Sequence, residues 1–219
     1  MLTVTPEWKT AFPGACAGVL VMRGADNPAG HPELALRKAE IETQLRTDSQ
    51  DAPVDNQILE IYTQYYKRFK KTYHVKLQLK SIVQQGKSIP DAQALVQAMF
   101  MAEMKNMLLT AGHDMDKLHL PLVLDVSTGD ETYTLMRGTE QQLKPGDMYI
   151  RDGEGILSDV IYGPDRRSSI APDTHNAVYT VYAPQGIPQQ AVLDHLKDMA
   201  DYVRIASPHA KIELIQVYS

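Results

Sequence analysis

Between Asp91 and Leu109 the chain places Leu95, Val96, Ala98, Met99, Phe100, Met101 and Met104 on nearly every face of a helix, with Asp91 after Pro90 as its N-cap. A helix with so little polar surface must be enclosed, so the other elements have to be arranged around it. Its few polar side chains, Gln97, Glu103, Lys105 and Asn106, then need internal partners or a ligand, because burying an unpaired polar group costs about 1–3 kcal/mol. The helix is read to run out at Gly112, since glycine accepts the left-handed backbone of a helix end without steric cost. His113, Asp114 and Asp116 are therefore expected on a turn at the helix mouth, as the floor of a pocket.

Before this stretch, residues 15–22 are a continuous apolar run of strand length, and residues 32–46 read as a helix entered through Pro32 and Glu33. A polar break over 47–53 separates it from a second amphipathic helix. There Ile58, Ile61, Tyr62, Tyr65, Tyr66 and Phe69 recur at three and four residues, a stripe read as core before it is read as a stacking platform. Residues 75–80 fit both a strand and a helix. Beyond Leu118 the texture turns to strands at 120–126, 131–136, 148–151, 156–162 and 177–182, the first two reading as a hairpin through Ser127-Thr128-Gly129-Asp130. A helix over 188–203 and a strand over 212–217 close the chain. Grouped helices and strands predict an α+β fold, with mixed or antiparallel sheets packed on helices. The 219 residues are read as one domain, its core at 15–183 and a C-terminal helix and strand within 187–218.

Charge narrows the partners. At a net −5 there is no global basic field for nonspecific nucleic-acid binding, so no DNA partner is expected and any RNA contact must be local. One local bias exists: from Lys67 to Lys87 there are seven Lys or Arg and no acid. Lys67, Arg68, Lys70 and Lys71 in that run, with Arg166 and Arg167 in a later polar loop, are the candidate phosphate-binding residues. The lone Cys16 lies in an apolar run and reads as a buried thiol, no signal peptide is evident, and no stretch approaches a membrane span. A cytoplasmic protein without membrane association or cofactor is expected.

The order of these motifs resembles the B3/B4 domain of the bacterial phenylalanyl-tRNA synthetase beta subunit, and more closely the free-standing B3/4-domain proteins. The resemblance is carried by the helix containing Leu95-Val96 and the segment Gly112-His113-Asp114-Met115-Asp116-Lys117-Leu118, by Lys70-Lys71-Thr72, by the strands at 148–152 and 157–163, and by Thr174 ahead of the last strand of the module. It implies a fidelity function, hydrolysis of a wrongly attached amino acid from tRNA, with an aminoacyl-tRNA partner whose aminoacyl moiety is the ligand. Position by position the family pattern changes: its Val-Asp is Val96-Gln97, its helix Asn is Phe100, and its loop histidine is Ala111. In the synthetase the wrongly attached amino acid is tyrosine, and with these changes the resemblance does not by itself imply tyrosine specificity here.

Within that frame His113 and Asp159 are the candidate catalytic residues, His113 because its ordinary pKa suits proton transfer and Asp159 because a charge inside an apolar strand demands a partner or a ligand. Glu103, Asn106, Asp114, Ser158, Tyr162, Gly163 and Thr174 are the candidate substrate-binding residues. His113, Asp114 and Asp116 fall within four residues, in neither a zinc nor a calcium pattern, so no metal is assigned. Two other readings stay open: a non-catalytic module binding tRNA or an amino acid, and a metabolic enzyme acting on a small amino compound.

Overall fold

The computed structural model describes residues 1–51 and 57–219. In chain order the elements are β1 (Leu2–Val4), α1 (Pro6–Ala11), β2 (Cys16–Arg23), α2 (Pro32–Asp51), α3 (Gln57–Arg68), α4 (His74–Gln85), α5 (Ala94–Asn106), β3 (Thr110–Asp114), β4 (Leu122–Val126), β5 (Thr132–Thr134), β6 (Glu140–Gln142), β7 (Met148–Arg151), β8 (Ile156–Asp159), β9 (Gly163–Pro164), β10 (Ala177–Ala183), α6 (Gln189–Ala206) and β11 (Lys211–Tyr218). The class is α+β, as the grouping of apolar patterns predicts.

Two sheets carry the fold. One is antiparallel in the order β11-β2-β10-β3, and the other runs β1-β4-β7-β8-β9 with only the β1–β4 pair parallel. Every residue of β10, and every residue of β2 but its last, is buried, which is why β2 reads as an unbroken apolar run and β10 as one interrupted only by Thr180. Helix α6 lies on the face of β2 that carries Gly18. The face that carries Tyr182 meets the other sheet, where Tyr182 donates to the Ser158 carbonyl at 2.9 Å. Helix α5 is surrounded by α2, α4, α6 and β3, and its Ala94, Leu95, Ala98, Met101, Ala102 and Met104 are buried.

The aromatic stripe of α3 is core. Tyr62, Tyr65 and Tyr66 are buried, and each hydroxyl is used: Tyr62 donates to the Tyr182 carbonyl, Tyr65 to Asp147 at 2.5 Å and Tyr66 to the Val160 carbonyl at 2.5 Å. Each ring thus fills apolar space while its tip satisfies a buried acceptor.

Several boundaries differ from expectation for identifiable reasons. Helix α2 continues through residue 51, so most of the expected polar break is helical, and its end at Pro53 lies outside the described residues. Residues 75–80 are helical in α4, burying Val75, Leu79 and Ile82 on one face. The expected hairpin is absent: β4 pairs with β1 and β7, whereas β5 pairs with the polar strand β6, whose sequence carries no apolar alternation. Helix α5 stops at Asn106, before Gly112, because Met107 takes the left-handed conformation at φ 58° and its amide returns to the Glu103 carbonyl at 2.8 Å. Gly112 therefore lies inside β3.

The fit of α6 on β2 depends on Gly18. A Cβ there would lie 2.6 Å from Val192 Cγ1 and 3.1 Å from Leu196 Cδ1. Gly18→Ala is expected to cost roughly 1–3 kcal/mol through overpacking, a fall of roughly 2–10 °C in Tm by circular dichroism. An unchanged Tm would show that this contact is not tight.

Candidate functional site

The reversal after α5 builds the site. Because Met107 turns the chain back at once, Leu108 and Leu109 lead directly into β3, and the Thr110 amide arrives 2.8 Å from Glu103 Oε1. Glu103 is 3% exposed, and this amide is its one hydrogen-bond donor among the described residues. Burial drives its carboxyl up to about 8, and the Thr110 amide only partly opposes the shift.

Glu103 lines a cavity of about 490 Å³. Helix α5 contributes Val96, Met99 and Phe100, β3 with its lead-in contributes Leu109, Thr110 and Gly112, and the segment 160–164 forms the opposite wall with Ser169 and Ile170. His74, at the start of α4, and Met136, 52% exposed, lie at the edge. The walls are mostly apolar, and among the described residues neither lysine nor arginine lines them. Gly112 is required for clearance: a Cβ would lie 3.0 Å from Ile170 Cδ1 and 3.2 Å from Met99 Sδ, between the two walls.

The loop wall is held from behind by two buried carboxylates. Asp159 Oδ1 accepts from the Tyr162 amide at 2.7 Å, the Gly163 amide at 3.0 Å and the Tyr133 hydroxyl at 3.0 Å. Asp147 accepts from the Ile161 amide at 3.1 Å through Oδ2, and from Tyr65 and the Met148 amide through Oδ1. Burial raises both acids, Asp159 to about 6, and the charge of Asp159 raises Asp147 further. Three consecutive loop amides that would otherwise be buried without acceptors are thus satisfied.

Of the residues singled out in sequence, Glu103, Tyr162 and Gly163 line the cavity. Asp159 supports the loop from behind, and Ser158 is buried between the sheets with its hydroxyl 2.7 Å from that of Tyr182. Asn106 lies at the α5–α6 contact, donating to Asp198 at 2.9 Å, with His195 Nδ1 3.2 Å away. His113 is in a strand, not on a turn. Strand alternation turns Thr110 and Gly112 toward the cavity and His113 to the other face, where it is fully buried with Nδ1 2.7 Å from Ser168 Oγ. Burial lowers its pKa to about 4, with the nearby Arg167 charge adding to the effect, so it is a neutral imidazole at neutral pH. Asp114 caps the 3-10 turn Met115–Lys117, pairs with Lys117 at 3.3 Å and accepts from the Thr174 hydroxyl at 2.7 Å. Asp114 and Thr174 thus tie loops together away from the cavity.

The basic residues divide similarly. Arg167 is engaged internally, donating to the Lys117 carbonyl and to Asp152, each at 2.8 Å, and pairing with Glu154 at 3.1 Å. Arg166 is exposed beside the turn that carries Met136, its guanidinium next to Gly138. Lys67, Arg68, Lys70 and Lys71 are exposed at the end of α3. Arg68 lies over the Tyr65, Phe69 and Phe12 rings, and Lys71 Nζ is 5.4 Å from the centroid of Tyr162, a cavity residue. Lys117 Nζ donates to the carbonyl of Ser169, another cavity residue, at 2.9 Å.

Sequence reasoning missed His74, Met99, Met136 and the support of Asp147. The period of α5 does reveal that Val96, Met99, Phe100 and Glu103 share one face at spacings of three and four. Nothing local marks which apolar residues face a cavity and which face core.

No family model matches the sequence, and none of the curated proteins compared with it does. In fold, the chain is similar to an N-terminal fragment of the phenylalanyl-tRNA synthetase beta subunit from Pyrococcus horikoshii, with a TM-score of 0.57 and 12% identity. The match spans 100% of this chain and 54% of that one, so the chain corresponds to about half of the fragment.

The buried carboxyl has a measurable signature. A carboxyl whose pKa is raised in the folded state contributes stability at low pH that is lost as pH climbs from the ordinary value of 4.5 through about 8. Glu103→Gln keeps an acceptor for the Thr110 amide and removes the titration. The variant should gain on wild type by roughly 2–5 kcal/mol between acidic and mildly alkaline pH in urea unfolding. A gap independent of pH would mean that Glu103 is solvated.

Proposed function

We propose that this chain recognises the aminoacyl group of a mischarged aminoacyl-tRNA in the cavity around Glu103 and releases it by hydrolysis of the ester. The observation that carries the reading is Glu103 itself, a carboxyl within mostly apolar walls that has, among the described residues, one amide donor and no lysine or arginine in the surrounding lining. Apolar walls suit an amino-acid side chain, and an unpaired carboxyl suits its amine. The fold shared with a fragment of a tRNA synthetase subunit makes a charged tRNA the natural source of such a group. Lys71 beside Tyr162, with Lys67, Arg68, Lys70 and Arg166 further out, supplies positive charge outside the cavity, where the phosphates of an acceptor end would run.

In this reading the aminoacyl group enters with its amine toward Glu103 and its ester toward the solvent side. Water adds to the carbonyl carbon, the bond to the ribose oxygen breaks, and the proton lost by the water passes to that oxygen, giving free amino acid and uncharged tRNA. His74 is the imidazole that lines the cavity, 3.3 Å from the Tyr66 hydroxyl through Nδ1, and is the group assigned to carry that proton. Asp147 and Asp159 act at one remove, by holding the wall that contains Tyr162 and Gly163.

A second reading, binding of a small amino compound without RNA, is favoured by the net charge of −5 and by the lack of lysine or arginine in the cavity lining. One experiment separates the two: deacylation of a panel of correctly and wrongly charged tRNAs at several salt concentrations. Wild type should release at least one wrongly attached amino acid. Glu103→Gln should lower kcat/KM by roughly 10- to 100-fold, as for a lost charge-assisted contact, and His74→Ala should lower kcat by roughly 100-fold or more with little change in KM. Release should weaken steeply with salt. No release from any tRNA, and no tRNA binding at low salt, would remove the RNA from the account.

A further inference from the structure

We infer that the cavity selects by charge, admitting an apolar amino acid whose amine is free and whose carboxyl is esterified or amidated, and refusing both the free amino acid and the N-acylated form. This deepens the reading above and rests on it for the identity of the cavity as the substrate site, although its binding test needs no tRNA.

The selection follows from what the lining contains. Its titratable members are His74, Glu103 and Tyr162, and among the described residues no lysine or arginine lines it beside Glu103. An ammonium group reaching Glu103 supplies the partner that the Thr110 amide does not, in a water-poor space where an ion pair is strongly felt. A neutral acid that meets a neutral amine passes its proton to it, and a carboxylate that meets an ammonium needs no transfer, so both routes end in the same ion pair. A free amino acid brings a second charge. Its carboxylate would enter a mostly apolar lining that holds no lysine or arginine among the described residues, and burying an unpaired charge is costly. Lys71 is exposed, over the Tyr162 ring. An N-acyl group removes the cation, so the Glu103 carboxyl is left with the Thr110 amide as its one donor among the described residues. The cavity thereby distinguishes an elongator-type aminoacyl ester from a formylated or peptidyl one by its amine alone.

The test is calorimetric titration of the full chain at neutral pH with leucinamide, leucine and N-acetyl-leucinamide, and with the phenylalanine and methionine counterparts. At least one amide should bind ten-fold or more tighter than its free acid and its N-acetyl form. In Glu103→Gln the preference over the N-acetyl form should fall to within about three-fold, an outcome read as a ratio and so insensitive to a general loss of affinity. Gly112→Ala, which narrows the same space, should weaken the whole series while keeping the ratio. Free acids binding as well as amides, N-acetyl forms binding equally, or no amide binding at millimolar concentration would each overturn the inference. Its failure is separable from that of the hydrolytic reading. Equal release from N-acetylaminoacyl- and aminoacyl-tRNA sinks the charge sieve and leaves hydrolysis standing. Amide selectivity without release from any tRNA does the reverse.

Discussion

The structure turns on one carboxylic acid held out of water by a tight reversal. Glu103 sits on a helix that has almost no polar surface, and the left-handed Met107 delivers a single backbone amide to it. A fold gains nothing in stability from such an arrangement, since the same volume filled by an apolar side chain would avoid the desolvation cost. Departures of this kind from the rules of a well-packed core concentrate at functional or strained sites, and this one opens onto a cavity.

Much of the surrounding architecture fixes that cavity's shape. Asp147 and Asp159 hold three successive amides of the opposing loop, and Tyr65 and Tyr133 hold the two acids in turn. Tyr66 donates to the Val160 carbonyl of the same loop, while Tyr62 and Tyr73 secure the reversal through the Leu109 amide and the Met107 carbonyl. Tyrosines from α3 and its C-terminal extension therefore reach both walls, a rigid frame in which a buried polar network leaves few of its members unsatisfied.

Several of these features were legible in the chain. The all-round apolar character of α5 announced its burial, and the continuous run in β2 announced a strand covered on both faces. A charge inside the apolar segment around Asp159 marked a residue with a structural debt to satisfy, although the creditor proved to be loop amides. The position of His113 was not legible, because which face of a strand looks into a cavity depends on the register with β10, set by residues more than sixty positions away. Gly112 looked like a helix end for a local reason, yet its glycine answers to Ile170 and Met99, which no local pattern connects to it. Asp147, next to a Pro-Gly turn, carried no sign that its carboxyl would support a distant wall.

The central claim, that Glu103 is an unpaired buried acid awaiting an amine, is tested most directly by following its side-chain carboxyl carbon by NMR as pH is raised, with Glu103→Gln to assign the signal. The account predicts a midpoint near 8 in the free protein and a fall toward the ordinary carboxylate range once a binding amino-acid amide saturates the cavity. A midpoint already at the ordinary value of 4.5 in the free protein, or one that ligand leaves unmoved, would contradict it.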